Sequence, residues 1–522
     1  IIYNNGVSDI TPNGTGGFVY PKGGWKTAVF TSGLLWGAKI IGDPTPRVGG
    51  TAYSTGLLPG NVDKNGNIPS DNTIDKYRIY RVRRDVRPGG NYVDLSSEAL
   101  NENTSEIDLR LELEKDWLEW PADMGAPYED KNNNSIYDPY SDIPGVQGAD
   151  MTIWFVANDL DSSQTMFLYG ANPLGIELQA TVWAYQRNDA LDNLLFKKYK
   201  LTNVTNRSAL SAQTFNDMYL SYWMDVDLGD AGDDFIGVDT NIDGVYTPDP
   251  PPATGISFLN VPMTTAYYFA NGNPNIGDPP QGAIDGSRQF YNFFQGKYGV
   301  SGQFFTDILT GQPTTFALNG DPIKNTGWLD GIQLPPGDRR SGIASGPFNL
   351  APGETKEVIL AEIVAEGKDN INAIKLLKYY LSKAKKLYNN NFKLPEKSYS
   401  PPQPLVSISD ENNSIQVNWE RYSNGLDIEN YNQSGYEFEG YNIYQFYSPY
   451  SSKENGKLIA TIDKINGVKY IYGSIMDTVT GLTKLGIAQF GTDSGIKYTL
   501  NVDKDYVLSS PFYKGKQYYF GV

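Results

Sequence analysis

Residues 175–185 read Gly175-Ile176-Glu177-Leu178-Gln179-Ala180-Thr181-Val182-Trp183-Ala184-Tyr185, with apolar residues at the even positions and Glu177, Gln179 and Thr181 at odd ones. Side chains of a strand alternate between its two faces, so this spacing predicts a β-strand with one buried face and one wet face. The surrounding sequence has the same texture. Met151-Thr152-Ile153-Trp154-Phe155-Val156 and residues 194–201 read as strands, and so do 77–82, 264–269, 314–318 and 356–364. Pro352-Gly353-Glu354 supplies a turn before the last of these. The pattern predicts a mainly β chain of multi-domain antiparallel sandwiches with one or two accessory helices. One helix is expected over 104–120, with Ser105 as N-cap and Ile107, Leu111, Leu113, Trp117 and Leu118 as its apolar side. The other follows Asp369, where Ile371, Ile374, Leu377, Leu381, Ala384 and Tyr388 form a stripe opposite a lysine-rich face read as solvated.

Composition narrows the chemistry. The 522 residues carry 43 basic and 60 acidic side chains, a formal charge of −17, which argues against a nucleic-acid partner. Cysteine and histidine are both absent from the sequence. Disulfides, thiolate nucleophiles, Cys/His zinc sites and every His-dependent triad are therefore excluded. Carboxylate-pair glycoside hydrolysis is the one enzyme class kept open, and any metal must accept oxygen ligands. No apolar run approaches the length of a membrane span, so no membrane insertion is expected in this segment. Ile1 follows no leader and the last residues read as an unfinished strand, which suggests a chain whose leader is removed and which continues past Val522.

The sequence divides into an N-terminal β-rich subdomain over 1–150 and a large sandwich with its closing helix over 151–392. A proline-rich linker follows over 393–404, then a module over 405–522. That module resembles fibronectin type III. The resemblance rests on the proline entry, the strand Ile415-Gln416-Val417-Asn418-Trp419 with its core tryptophan, Gly440-Tyr441-Asn442-Ile443-Tyr444, and Tyr518-Tyr519-Phe520-Gly521-Val522. Tyr518 stands where that family places its corner tyrosine. Residues 453–510 depart from the family as an insertion, and the last strand is missing.

Two acidic segments point to calcium. Asp130, Asn132, Asn134 and Asp138 put oxygen at loop positions 1, 3, 5 and 9, and Asp142 adds a later carboxylate. The segment resembles an EF-hand or thrombospondin-type loop. Ser135 replaces the usual glycine and no Glu stands at position twelve, so an Asn-rich turn is the alternative. The second segment holds seven carboxylates: Asp225, Asp227, Asp230, Asp233, Asp234, Asp239 and Asp243. Their mutual repulsion asks for a cation or for solvation. A glycosidase pair drawn from Asp225, Asp227 or Asp234 is the rival reading. Asp63-Lys64-Asn65-Gly66-Asn67 reads as a plain turn.

The aromatic groups Tyr267-Tyr268-Phe269, Phe290-Tyr291-Asn292-Phe293-Phe294 and Tyr444-Gln445-Phe446-Tyr447 read as core first, with sugar platforms or subunit contacts as the alternatives. The segments 172–177, 217–219, 225–230, 327–331 and 338–348 resemble a group of large secreted proteins of Bacteroidetes, Chlorobi and Ignavibacteria. That resemblance implies a β-rich body with fibronectin-like modules, exported by type IX secretion to the cell surface or beyond. The resulting expectation is a non-enzymatic, calcium-stabilised extracellular structural protein that binds its own copies or other surface proteins. A glycan-binding adhesin or a carboxylate-dependent hydrolase is the alternative.

Overall fold

The strand expected at 175–185 forms as β6 (Ile176–Ala184) in a computed structural model that describes residues 2–20, 27–187, 190–248, 252–367, 369–394, 403–411, 414–423, 425–433, 436–448, 451, 453, 456–476 and 483–522. It lies inside a nine-stranded sheet. The order is β9 (Gly237–Asp239), β10 (Gly244–Pro248), β11 (Ala253–Phe258), β14 (Thr355–Ala365), β7 (Leu194–Asn203), β6, β5 (Met151–Asn158) and β3 (Leu58–Pro59), with β4 (Tyr80–Arg83) also paired to β5. A five-stranded sheet runs β12 (Thr265–Ala270), β13 (Arg339–Leu350), β8 (Phe215–Asp225), β1 (Thr31–Lys39) and β2 (Arg47–Gly50). Their pairings are antiparallel. Ile176, Leu178 and Ala180 of β6 share one core with Leu34 of β1 and with Leu220 and Tyr222 of β8, so the two sheets form a sandwich. Burial of each such large side chain contributes about 1.5–3 kcal/mol.

The face of β6 expected to be wet is covered. Glu177 and Thr181 keep 5% and 4% of their surface. Residues from 60 to 150 pack over this side of the sheet, where Trp117, Trp120, Tyr80 and Met124 form a second core with Trp154 and Val156 of β5. Two polar side chains on this face find partners in that cover. Val62 N–H donates to Glu177 Oε2 at 2.7 Å, and Gln179 Nε2 donates to the Met124 carbonyl at 3.0 Å. Consequently residues 1–150 are not a separate body. The chain falls into two units, one spanning 1–365 and 369–391 and the other chiefly 392–522, and the boundary expected at 150 lies inside the first.

Helices complete the first unit. α1 (Ser96–Asn101) and α2 (Glu106–Leu118) share a small core of Leu95, Ala99, Leu109 and Leu113. Ser105 caps α2 as expected, accepting the Asp108 N–H at 3.1 Å. Ser105→Ala should cost about 1 kcal/mol, read as a lower thermal midpoint with the second unit's transition unchanged; an unmoved midpoint would remove the cap from the account. The buried side of α2 differs from the expected one, since Ile107 and Leu111 are 72% and 59% exposed. The helix is instead turned to bring Asp116 inward, where it takes the Arg81 N–H at 2.7 Å and Arg78 Nε at 2.8 Å.

α3 (Ser162–Tyr169) and α4 (Ile284–Phe294) pack at β2, and Tyr267 and Phe269 of β12 stack on Phe293 of α4 at 5.3 and 5.5 Å. These aromatics are core. The run 314–318 yields only a two-residue strand, Pro313–Thr314. There Thr314 Oγ1 takes the Phe316 N–H at 3.0 Å and Leu318 sits at φ +53°, which turns the chain out of extended form. α5 (Asn370–Asn389) starts at its Asp369 cap and buries Ile374, Leu377, Leu381 and Ala384.

In the second unit, β15 (Val406–Glu411), β16 (Ser414–Trp419) and β21 (Thr499–Val502) form one sheet, while β18 (Lys457–Asp463), β17 (Gly440–Phe446) and β22 (Tyr519–Gly521) form another. Between them in the chain, β19 (Tyr470–Met476) and β20 (Thr483–Phe490) pair as a hairpin. Val417, Trp419, Tyr441, Ile443 and Val502 make the core. Of the expected linker, residues 395–402 lie outside the described residues.

Candidate metal centre

Strand register builds the site. β8 and β13 pair so that Asp225 stands opposite Arg340. Both are nearly buried, at 3% and 8% exposure. Arg340 Nε lies 3.2 Å from Asp225 Oδ1, and its Nη2 lies 3.4 Å from Oδ2. Tyr53 joins them: its hydroxyl donates to Asp225 Oδ2 at 2.9 Å and accepts from Arg340 Nε at 2.6 Å. Asp338, just before β13, pairs with Arg340 Nη1. Asp278 Oδ1 is 3.6 Å from Nε. Asp227 continues beyond the end of β8, and oxygens of Asp225, Asp227 and Asp338 all lie within 4.8 Å of one another.

Four carboxylates thus surround one guanidinium. Two like charges at such a separation repel by about 3.5 kcal/mol at an effective dielectric near 20. Burial, opposed by Arg340 and reinforced by Asp227, pushes Asp225 up to about 7. Burial also raises Asp227 and Asp278. Asp225 Oδ1 accepts no hydrogen bond despite its burial. An added proton or a cation relieves this charge, and a donor set made only of carboxylate oxygen suits a hard divalent ion. Asp225, Asp227 and Asp338 are the residues that would hold it.

Beside the cluster lies a cavity of about 270 Å³, lined by Tyr53, Tyr169, Trp223, Phe269, Phe290 and Asp278 among others. Trp223 is fixed by its Nε1–H on the Thr51 carbonyl at 2.9 Å and by an edge contact with Tyr53 at 5.0 Å. The cavity lining is therefore largely aromatic, with the Asp278 carboxylate among it.

The seven acidic residues expected to act together are dispersed. Asp225 and Asp227 reach the cluster. Asp230 and Asp233 stand on an exposed turn, where Asp230 Oδ1 takes the Gly232 N–H at 2.9 Å. Asp234 is fully buried away from that turn, its carbonyl accepting the Gly337 N–H at 3.2 Å. Asp239 and Asp243 meet lysines of α5: Lys378 Nζ is 2.7 Å from Asp239 and Lys385 Nζ is 2.6 Å from Asp243. Their charge is neutralised by protein, and the α5 face expected to be solvated is partly used for it, with Lys378 only 4% exposed.

In the loop at 130–142, the side-chain oxygens face the loop's own backbone. Asp130 accepts from Asn134 and Ser135 N–H, Asn132 from Asn134, Asn134 from Ile136, Asp138 from Tyr140, and Asp142 from Lys131 and Asp138. Ser135 takes a positive φ of 60°, the conformation for which glycine is usual. These bonds order the loop through its own Asp and Asn side chains. Among the described residues, Asp130, Asp138 and Asp142 do not form a second group of converging carboxylates. Asp63 likewise closes its own turn, accepting Asn65 and Asn67 N–H.

Asp278, Asp338, Arg340 and Tyr53 are the site residues that sequence reasoning missed. Asp338-Arg339-Arg340 is a visible charged run, yet its opposition to Asp225 depends on β8–β13 register across 115 positions. No helix among the described residues is long and apolar enough to cross a membrane. No known family model matches the chain, and no curated protein matches it.

Proposed function

We propose that the protein is a secreted, non-enzymatic structural protein of the cell surface or extracellular space, stabilised by calcium and built to associate with its own copies or with other surface proteins. The observation that carries this reading is the cluster of Asp225, Asp227 and Asp338, with oxygens within 4.8 Å of one another, in which Arg340 pairs with Asp225, Asp338 and the neighbouring Asp278. Millimolar calcium outside a cell would saturate even a weak site of this kind. The net charge of −17 and the extensive β framework agree with that setting. In the second unit, Tyr518 Oη accepts the Tyr513 N–H at 2.7 Å, as a corner tyrosine does, and Trp419 is buried. Both support a fibronectin type III-like module serving as a spacer, in keeping with the type IX secretion group that the sequence resembles.

The test is thermal unfolding and sedimentation velocity in millimolar calcium and in excess chelator. A hundredfold excess of calcium over its dissociation constant should add about 2.7 kcal/mol to the first unit, and calcium should shift the chain to larger species. Asp227→Asn combined with Asp338→Asn should abolish the thermal response. Equal melting with and without calcium in the unaltered chain sinks the metal assignment.

The aromatic cavity with Asp278 in its lining favours a second reading, a glycan-binding adhesin or carboxylate-dependent hydrolase. Retention by polysaccharide, lost in Trp223→Ala and indifferent to calcium, would favour it over the first.

A further inference from the structure

The inner face of β7 carries Lys197 among core residues. Lys197 is 0% exposed, as is Glu362 on the neighbouring β14, and Asp9 of the N-terminal segment is 3% exposed. In the β7–β14 register Lys197 faces Leu360 and Leu195 faces Glu362, so Lys197 and Glu362 are diagonal neighbours on one face. Lys197 Nζ lies 2.5 Å from Glu362 Oε2 and 3.8 Å from Asp9 Oδ2. It also donates to the Tyr222 hydroxyl at 2.7 Å. Glu362 Oε1 accepts no hydrogen bond. Asp9 is held in place by Ser32 Oγ, which donates to its Oδ2, and by the bridge of Ser8 to Ser32 on β1. A single ammonium, two carboxylates and two tyrosines, Tyr199 and Tyr222, thus share a buried space between the sheets.

A buried ion pair of this kind is a poor source of stability, because desolvation offsets its attraction. The arrangement does suit a reaction that removes the charges. We propose that Lys197 and Asp9 condense to an intramolecular isopeptide bond, with Glu362 as the proton-transferring residue. Glu362 takes one proton from the Lys197 ammonium. The freed amine attacks Asp9 Cγ, the C–N bond forms, and an Asp9 C–O bond then breaks. Of the three ammonium protons, one stays on the amide nitrogen. The other two leave with the departing oxygen as water, one of them relayed through Glu362. No oxidant or other co-reactant is needed.

The fixed geometry replaces a bimolecular encounter. Burial, opposed by Lys197, raises Glu362 to about 7, the direction a proton acceptor requires. Burial acts to lower Lys197, but Asp9 and Glu362 outweigh it and raise the group, so the ammonium is the resting form and Glu362 takes the proton only in the course of the reaction. The product closes a loop from residue 9 to residue 197 in a chain without cysteine, restricting the unfolded state as a disulfide would. This inference does not depend on the cation site.

The test is the intact mass of the full chain measured under denaturing conditions, followed by fragmentation of its peptides. The expected mass is lower than that of the sequence by one water, and a branched fragment should join the Asp9 and Lys197 peptides. Lys197→Met and Glu362→Gln should each restore the full sequence mass. A full-mass unaltered chain overturns the proposal, and so does a water loss mapped to ring closure at Asp243-Gly244. A joined fragment persisting in Glu362→Gln would overturn the role given to Glu362. The unaltered chain alone decides whether the bond exists, even if a variant fails to fold.

Discussion

Arg340→Met in excess chelator should lower the stability of the first unit by about 3–5 kcal/mol, the usual cost of leaving a buried charge without its partner. Arg340 is the cation that faces Asp225, Asp278 and Asp338 together. Methionine keeps much of the side-chain volume, so the loss reports charge more than packing. Two features distinguish this loss from a general core defect. Asp225→Asn in the same background should recover much of it, because the asparagine no longer repels Asp227 and Asp338; a double-mutant cycle measures the coupling. Calcium should recover it as well, by placing positive charge where the guanidinium was. Recovery by asparagine without recovery by calcium would keep the electrostatic account and discard the metal. Recovery by neither would mean that Arg340 acts through packing.

The charge cluster also shows what the sequence could and could not reveal. Alternation along 175–185 identified the inward residues of β6, since Ile176, Leu178 and Ala180 do enter the core. It misread the outer face, because burial of Glu177 and Thr181 depends on Val62, Met124 and Trp117, which reach that face only through the tertiary fold. Alternation reports the local period and is silent about what covers a sheet.

The acidic run behaved in the same way. Asp225 and Asp227 were legible as an unusual density of charge. The neutralising groups were not, since Arg340 arrives by strand register and Lys378 and Lys385 arrive from α5, far along the chain. Asp239 and Asp243 therefore read as ligands in one dimension and prove to be salt-bridge partners in three. In the 130–142 loop the same oxygens that suit a cation also serve as backbone acceptors, so the sequence pattern alone does not separate the two uses. Lys197 showed the opposite limit. Residue type does not separate Lys197 from its neighbour in Phe196-Lys197-Lys198-Tyr199, and only the face assignment places it in the core.

Asp159→Ala is expected to cost about 4–6 kcal/mol, because it strips the acceptor from several buried backbone N–H groups at once. Asp159 follows β5 and is 1% exposed. Its carboxylate takes the N–H groups of Leu174, Gly175 and Ile176 at 3.2, 2.9 and 2.6 Å, fixing the chain as it enters β6. Burial outweighs those three bonds and raises its carboxyl to about 6, against about 3.9 in the unfolded chain. For an acid raised on folding, the native state holds the proton in that window while the unfolded state has released it. Stability attributable to Asp159 is therefore greatest below about pH 4, falls by about 3 kcal/mol as pH rises to about 6, and is level above. Asp159→Asn cannot titrate and keeps an oxygen for Gly175 and Ile176. Its denaturation midpoint should consequently change less than that of the unaltered chain between pH 4 and 6, while the alanine variant is weak throughout. Parallel pH profiles for the asparagine variant and the unaltered chain would show that Asp159 stays ionised, held by its three N–H donors against the cost of burial.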